Sequence, residues 1–283
     1  MNKIRLVTVT GSRIDTLWHM LNHYQNMVDE MCVVVYEWEE LSLYDEVFNI
    51  VNQFDNAKIT QRAYGQKYNW EFVTELYNQE KLKHPNDWWV VSDDDEFHIY
   101  SQDLNKIISD CDYNGWKLVR GGFIDRMAFY GNFPDIKPKE NIFNQFPIAG
   151  FFRYPMSGAN PNKVCIMKGD IELTAGQHYA KIDDQTTWRW QGWNHPLIAD
   201  VNKYNVQVHH FKWDSTCIDR IKSVADIKQN YSFSDEYKKM YQSLRSLNFE
   251  FDVTDDKYMF ENIGDDYDGY SQWKELLNKI ISI

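Results

Sequence analysis

Four consecutive acidic residues, Asp93-Asp94-Asp95-Glu96, directly follow the apolar run Trp88-Trp89-Val90-Val91-Ser92. Carboxylates are hard oxygen ligands that suit Mg²⁺ or Mn²⁺. A divalent cation held there acts as a Lewis acid toward a phosphate-bearing leaving group. The Asp-x-Asp spacing alone says little in a chain with 42 acidic residues, and it recurs at Asp110-Asp112 and Asp266-Asp268. Position separates the three. Asp110 and Asp112 straddle the end of a helical stripe, Asp266 and Asp268 lie in a polar stretch, and only Asp93 to Asp95 end a buried-type strand. The bland alternative is a solvated acidic turn or a helix cap.

The elements that must position this run are legible in the periodicity. Residues 4–9 are a β-branched strand ending in Thr10-Gly11-Ser12. Ser12-Arg13-Ile14-Asp15 has a capping-box pattern, and Leu17, Met20, Leu21 and Tyr24 recur at helical spacing. Residues 32–36 read as a second buried strand with Glu37 beyond it, and 57–60 as a weak third. A helix is predicted from about residue 66 to 82, ahead of a strand at 88–92. Strands alternating with helices predict an α/β fold with a mostly parallel central sheet flanked by helices. Ligands of such sheets lie beyond the carboxyl ends of the strands. Thr10, Arg13, Glu37 and the acid run would then line one crevice.

Further along, Leu104, Ile107, Ile108 and Cys111 predict a short helix, and 116–120 another strand. Residues 121–162, rich in Gly, Pro, Phe and Asn, read as loops around an open site. Strands are predicted at 164–167, 171–173 and 206–211, then helices carrying Ile218, Ile221 and Ala225, Tyr237, Met240, Tyr241 and Leu244, and finally Trp273, Leu276, Leu277 and Ile280. The resulting organisation is a domain over residues 1–222 and a helical C-terminal extension over 223–283.

The stretch Trp88-Trp-Val-Val-Ser-Asp-Asp-Asp-Glu-Phe97 resembles the strand-plus-DxDEF signature of glycosyltransferase-2-like and family-92-like GT-A enzymes. His210-Phe211-Lys212-Trp213-Asp214-Ser215 is similar to the late His-aromatic-basic segment of that family, and His23-Tyr24 to a pair inside its first helix. The resemblance spans roughly residues 4–222 at the level of motifs. It implies the GT-A nucleotide-diphospho-sugar transferase fold and a donor such as a UDP- or GDP-sugar. It also implies Mn²⁺ or Mg²⁺ as cofactor, and a glycan or other hydroxyl compound as acceptor. Asp93 and Asp95 would reach the donor and metal, with Asp94 beside them, and His210 would complete the metal shell. Strand alternation places His210 with Val206 and Val208, and neighbouring His209 with Gln207 and Phe211. The resemblance further implies donor contacts from Glu37, Arg62 and Lys67, and an acceptor-side role for His178 in Gly176-Gln177-His178.

An inverting transfer needs a carboxylate to deprotonate the acceptor hydroxyl. Asp125, Asp183 and Asp184 are the candidates, Asp125 following Gly121-Gly122, whose lack of Cβ lets backbone approach a ligand. Trp188, Trp190 and Trp193 offer stacking surfaces for an acceptor sugar, or a structural cluster.

The formal charge of −12 and the lack of a Lys/Arg tract argue against nucleic acid as partner. A modified-DNA acceptor stays the outlying variant. The four scattered cysteines read as buried thiols, which fits a reducing compartment, and no run reaches 18 apolar residues, so a soluble cytoplasmic protein is expected. The rival functions are a metal-dependent phosphoesterase and a sugar-binding module without catalysis.

Overall fold

A computed structural model of the chain describes residues 3–11, 13–38, 42–66, 68–182, 185–186, 195–226, 232–255 and 261–262. Its elements begin with β1 (Ile4–Thr10), α1 (Leu17–Tyr24), β2 (Glu30–Trp38), α2 (Tyr44–Val51), β3 (Ala57–Gly65) and α3 (Trp70–Leu82). Next come β4 (Trp88–Val91), β5 (Glu96–Ile99), α4 (Leu104–Asn114), β6 (Leu118–Met127), α5 (Ile142–Gln145), β7 (Ile148–Gly150) and α6 (Arg153–Ser157). The later ones are β8 (Asn162–Lys168), β9 (Glu172–Leu173), β10 (Ala180–Ile182), β11 (Gln185–Thr186), β12 (Val206–His210), α7 (Cys217–Ala225), α8 (Ser232–Ser246) and β13 (Glu261–Asn262). They fall into two compact units, Met1–Gly122 with Asn162–Val208, and Phe123–Pro161 with His209–Ile283.

The first unit is α/β, as the alternation predicts. Its strands run in the order β3-β2-β1-β4-β8-β6. The pairs β1·β2, β1·β4 and β2·β3 are parallel, whereas β8 runs antiparallel to both β4 and β6. Central strands of this kind are covered on both faces and so read as unbroken apolar runs. Trp88, Trp89, Val90 and Val91 of β4 are all fully buried. One core cluster joins Val7, Val34, Trp89 and Val91 of the sheet to Val73, Leu76 and Tyr77 of α3. Each such aliphatic side chain taken from water contributes about 1.5–3 kcal/mol.

Several boundaries differ from expectation. The first helix starts at Leu17 with Thr16 as an N-cap that makes no side-chain bond, so the capping-box pattern does not open it. The third helix starts at Trp70, where Asn69 Oδ1 accepts from the backbone N–H groups of Glu71 and Phe72. The third strand is nine residues long; as the strand at the end of the sheet order it carries Lys58, Gln61 and Arg62 in place of an unbroken apolar run, which hides its length in the sequence. Helix α2 and strand β5 were not anticipated. Residues 121–162, expected as loops, include the second half of β6, α5, β7 and α6. The final helix predicted around Trp273 lies outside the described residues.

Gly121 illustrates why a glycine can be structural. A Cβ there would meet the Val206 carbonyl oxygen at 2.3 Å and Cys165 Sγ at 2.7 Å. The close approach is between backbones, so the space Gly121 leaves is already filled by protein. Gly121→Ala is expected to cost about 1–3 kcal/mol through overpacking, read as a lower urea midpoint; an unchanged midpoint contradicts the packing.

In the second unit β6 continues antiparallel beside β7, and β7 beside β13. Its core gathers Met127, Phe152, Trp213, Ile221, Met240, Leu244 and Phe251. The expected helical stripes at 218–225 and 237–244 appear as α7 and α8. Cys32, Cys111, Cys165 and Cys217 are all buried thiols. Among the described residues no helix is long and apolar enough to cross a membrane.

Candidate functional site

The acid run is a turn at the end of the central strand. The Glu96 N–H closes it onto the Asp93 carbonyl at 3.0 Å, and the Ser92 N–H bonds the Val7 carbonyl of β1 at 3.3 Å. Two tyrosines hold it from below. The Tyr24 hydroxyl of α1 accepts from the His98 N–H at 2.8 Å and lies 3.2 Å from Ser92 Oγ. His23 Nε2 lies 2.9 Å from the His98 carbonyl oxygen. The His23-Tyr24 pair noted in the sequence therefore anchors the first helix to β5. From α3, the Tyr77 hydroxyl meets the Ser92 carbonyl at 3.1 Å, Asp93 Oδ1 at 2.8 Å and the Val9 N–H at 3.2 Å. Tyr77→Phe leaves those groups short of a partner in a buried place. A loss of about 1–3 kcal/mol is expected, measurable by urea denaturation.

The four carboxylates take different partners. Asp93 Oδ2 accepts from Lys163 Nζ at 3.0 Å, and Glu96 Oε1 from the same ammonium at 2.7 Å. Asp94 Oδ2 accepts from the Thr10 hydroxyl at 2.8 Å. Asp95 Oδ2 lies 3.4 Å from Arg13 Nη1, an ion pair between partly and largely buried groups. Thr10 and Arg13, from the end of β1, thus converge on the acid run as the strand ends predict. Burial, together with the charge of Asp95, pushes the Asp94 carboxyl up to about 7, against the opposing pull of Arg13 and Thr10. Among the described residues, Arg13 and Lys163 bring positive charge to this acidic turn. An oxygen-rich, negatively charged set of this kind fits a divalent ion such as Mg²⁺ or Mn²⁺.

Glu37 does not join them. Its Oε1 accepts from Ser42 Oγ and from the backbone N–H groups of Leu43 and Tyr44, capping α2, while Oε2 accepts from Arg62 at 2.6 Å. The Arg62 guanidinium lies 4.3 Å from the Tyr44 ring centre and 4.9 Å from that of Tyr64. These two candidates pair with each other at the next strand ends. His178 Nδ1 lies 2.7 Å from the Asn162 carbonyl oxygen at the start of β8. Lys67, Asp183, Asp184, Trp188, Trp190 and Trp193 lie outside the described residues.

Sequence reasoning missed Lys163. It is 1% exposed, and its ammonium also bonds Gln177 Oε1 at 2.7 Å and the Gly176 carbonyl at 3.3 Å. A signal was available: alternation in β8 puts Lys163 on one face with Cys165 and Met167, and a lysine on a buried face needs an acidic partner.

In the second unit, Asp125 is 1% exposed and accepts from Trp213 Nε1 at 3.2 Å and from the Arg153 N–H at 3.1 Å. His210 Nδ1 lies 3.5 Å from its Oδ1. Burial pushes this carboxyl up, but the nearby His210 imidazole and the charge of Arg153 outweigh it and hold the group below the usual range. Arg126 points into the interior, bonding the Phe146 and Phe143 carbonyls and lying 3.1 Å from His209 Nδ1. It braces the 143–146 segment, and the adjacent His209 is committed to it.

No family model matches the chain, and no curated protein matches it. Slight likenesses occur among solved structures. Mannose-6-phosphate isomerase from Helicobacter pylori aligns at 14% identity over 43% of this chain and 50% of its own, with a TM-score of 0.32. A putative glucose-1-phosphate thymidylyltransferase from Bacillus anthracis aligns at 10% over 48% and 61%, with a TM-score of 0.31. TarS 1-349 from S. aureus, in complex with UDP-GlcNAc, aligns at 10% over 86% and 73%, with a TM-score of 0.36. The chain spans half to three-fifths of the length of the first two.

Proposed function

We propose that the protein is a divalent-metal-dependent glycosyltransferase that moves a sugar from a nucleotide diphosphate donor to a hydroxyl acceptor. The observation that carries this reading is the acid turn itself. Carboxylates stand at the carboxyl end of a central parallel strand, where sheets of this kind bind ligands, and Arg13 and Lys163 pair with them. Asp95 and Asp94 would hold the ion, Mn²⁺ or Mg²⁺; bound there, it would neutralise the charge of the diphosphate leaving group.

The chain's own residues divide the remaining work. Thr10 fixes Asp94, and Arg13 offers a guanidinium beside Asp95 for a phosphate oxygen of the donor. For His210 the proposal is a metal ligand whose imidazole is oriented by Asp125, as carboxylates orient metal-binding histidines elsewhere. Asp125 then serves as an orienting group. A buried carboxylate already accepting from Trp213 and the Arg153 backbone is badly placed to take an acceptor proton. Asp183 and Asp184 remain the proposed bases for an inverting reaction.

Calorimetric titration with a panel of UDP- and GDP-sugars, with and without Mn²⁺, tests the reading when followed by mass analysis of products. Donor binding is expected to need the metal and to disappear in Asp95→Ala. Binding indifferent to both would overturn it, and phosphate release without sugar transfer would point to a phosphoesterase.

A further inference from the structure

Lys163 is arranged less like one half of an ion pair than like an ion in a site. Its buried ammonium takes at least four oxygens: Glu96 Oε1 at 2.7 Å, Gln177 Oε1 at 2.7 Å, Asp93 Oδ2 at 3.0 Å and the Gly176 carbonyl at 3.3 Å. Two carboxylates, one side-chain amide and one main-chain carbonyl are the donor types that proteins use for hard divalent cations. The backbone is bent to complete the set. Gln177, 2% exposed, has φ of 52° and follows Gly176 at 75°. A residue with a Cβ occupies the left-handed region only at a cost that the surrounding contacts must offset. Burial lowers the proton affinity of Lys163, but Asp93 and Glu96 more than restore it, so the side chain stays charged.

We propose that the Lys163 ammonium is a resident cation in an oxygen cage, permanently occupying the half of the acid run formed by Asp93 and Glu96. An exchangeable divalent ion is thereby directed to the other half, the turn centre at Asp94 and Asp95. The cage stands on its own geometry; its role in directing the ion rests on the transferase reading. The same ammonium ties the acid run to the Gly176-Gln177-His178 turn. Lys163 is therefore a positioning residue with a definite chemical identity, a covalently tethered substitute for a metal.

The test is chemical rescue followed by thermal unfolding. Lys163→Ala removes the charge and opens space, whereas Lys163→Met removes the charge and fills the space. Both are expected to melt below the wild type in EDTA. Millimolar Ca²⁺, which tolerates irregular oxygen sets, is expected to raise the melting temperature of the Ala variant by several degrees beyond any shift in the wild type. It should leave the Met variant uncorrected. A lysine that merely supports the fold would give two variants with the same Ca²⁺ response, and that outcome overturns the proposal. If the Ala variant does not fold in EDTA, its refolding yield with and without Ca²⁺ reads the same contrast. The two readings fail separately. Wild-type donor binding that needs Mn²⁺, without Ca²⁺ rescue of the variant, removes the cage alone; rescue without any donor binding removes the transferase alone.

Discussion

Asp95→Asn is expected to lower sugar transfer about a hundred- to a thousandfold, the range seen when one preorganised electrostatic group is removed, while stability holds or rises. Steady-state kinetics at saturating Mn²⁺ and a thermal melt measure the two sides. The loss follows from position: Asp95 is one of the two central residues of the acid turn, with Arg13 3.4 Å away. The stability follows from charge. Asparagine keeps an acceptor oxygen for Arg13, and removing one negative charge relieves Asp94, whose carboxyl burial and Asp95 together push up to about 7. An equal fall in activity and melting temperature would instead mark Asp95 as part of the scaffold.

The second large effect is on folding. Asp125→Asn is expected to destabilise the chain by about 3 kcal/mol at pH 7, the lower end of the cost of breaking a buried charged network. The amide puts a donor where the Arg153 N–H or Trp213 Nε1 needs an acceptor. The pH dependence identifies the cause. The Asp125 carboxyl titrates below its unfolded value in the folded chain. Its contribution is therefore fully present above the unfolded carboxyl range near about pH 4 and is lost as pH falls through the lower folded value. Urea midpoints at pH 7, 5 and 3 should show the gap between the two proteins closing toward pH 3. A constant gap would assign the effect to shape.

These expectations show which parts of the site were readable and which were not. The strands carrying Thr10 and Asp93 are short apolar runs with polar residues at one end, and chain alternation alone places those ends side by side. His23-Tyr24 was visible as a motif, but its work of holding β5 was not, because β5 is four residues long and begins inside the acid run. Glu37 also stands at a strand end, yet it turns to Arg62 and the start of α2, a helix that went unplaced although Tyr44, Val47, Phe48 and Val51 recur at helical spacing. Lys163 escaped for a different reason. Its acidic partners are 67 and 70 residues away, and no local spacing encodes a contact of that range. Only the inward face of β8 hints that a charge there must be matched.

The place of β8 in the sheet has a consequence for synthesis. It lies between β4 and β6, both of which precede it in the chain. As the polypeptide leaves the ribosome, the two earlier strands wait with a gap between them, and the whole of Phe123–Pro161 from the other unit emerges before the filler arrives. That same late strand carries the ammonium for Asp93 and Glu96. A nascent chain stopped short of residue 162 would thus lack both a sheet partner and a counter-charge, and burying Glu96 in that state is costly. Docking of one strand fills the gap between β4 and β6 and brings the counter-charge for Asp93 and Glu96 in the same step.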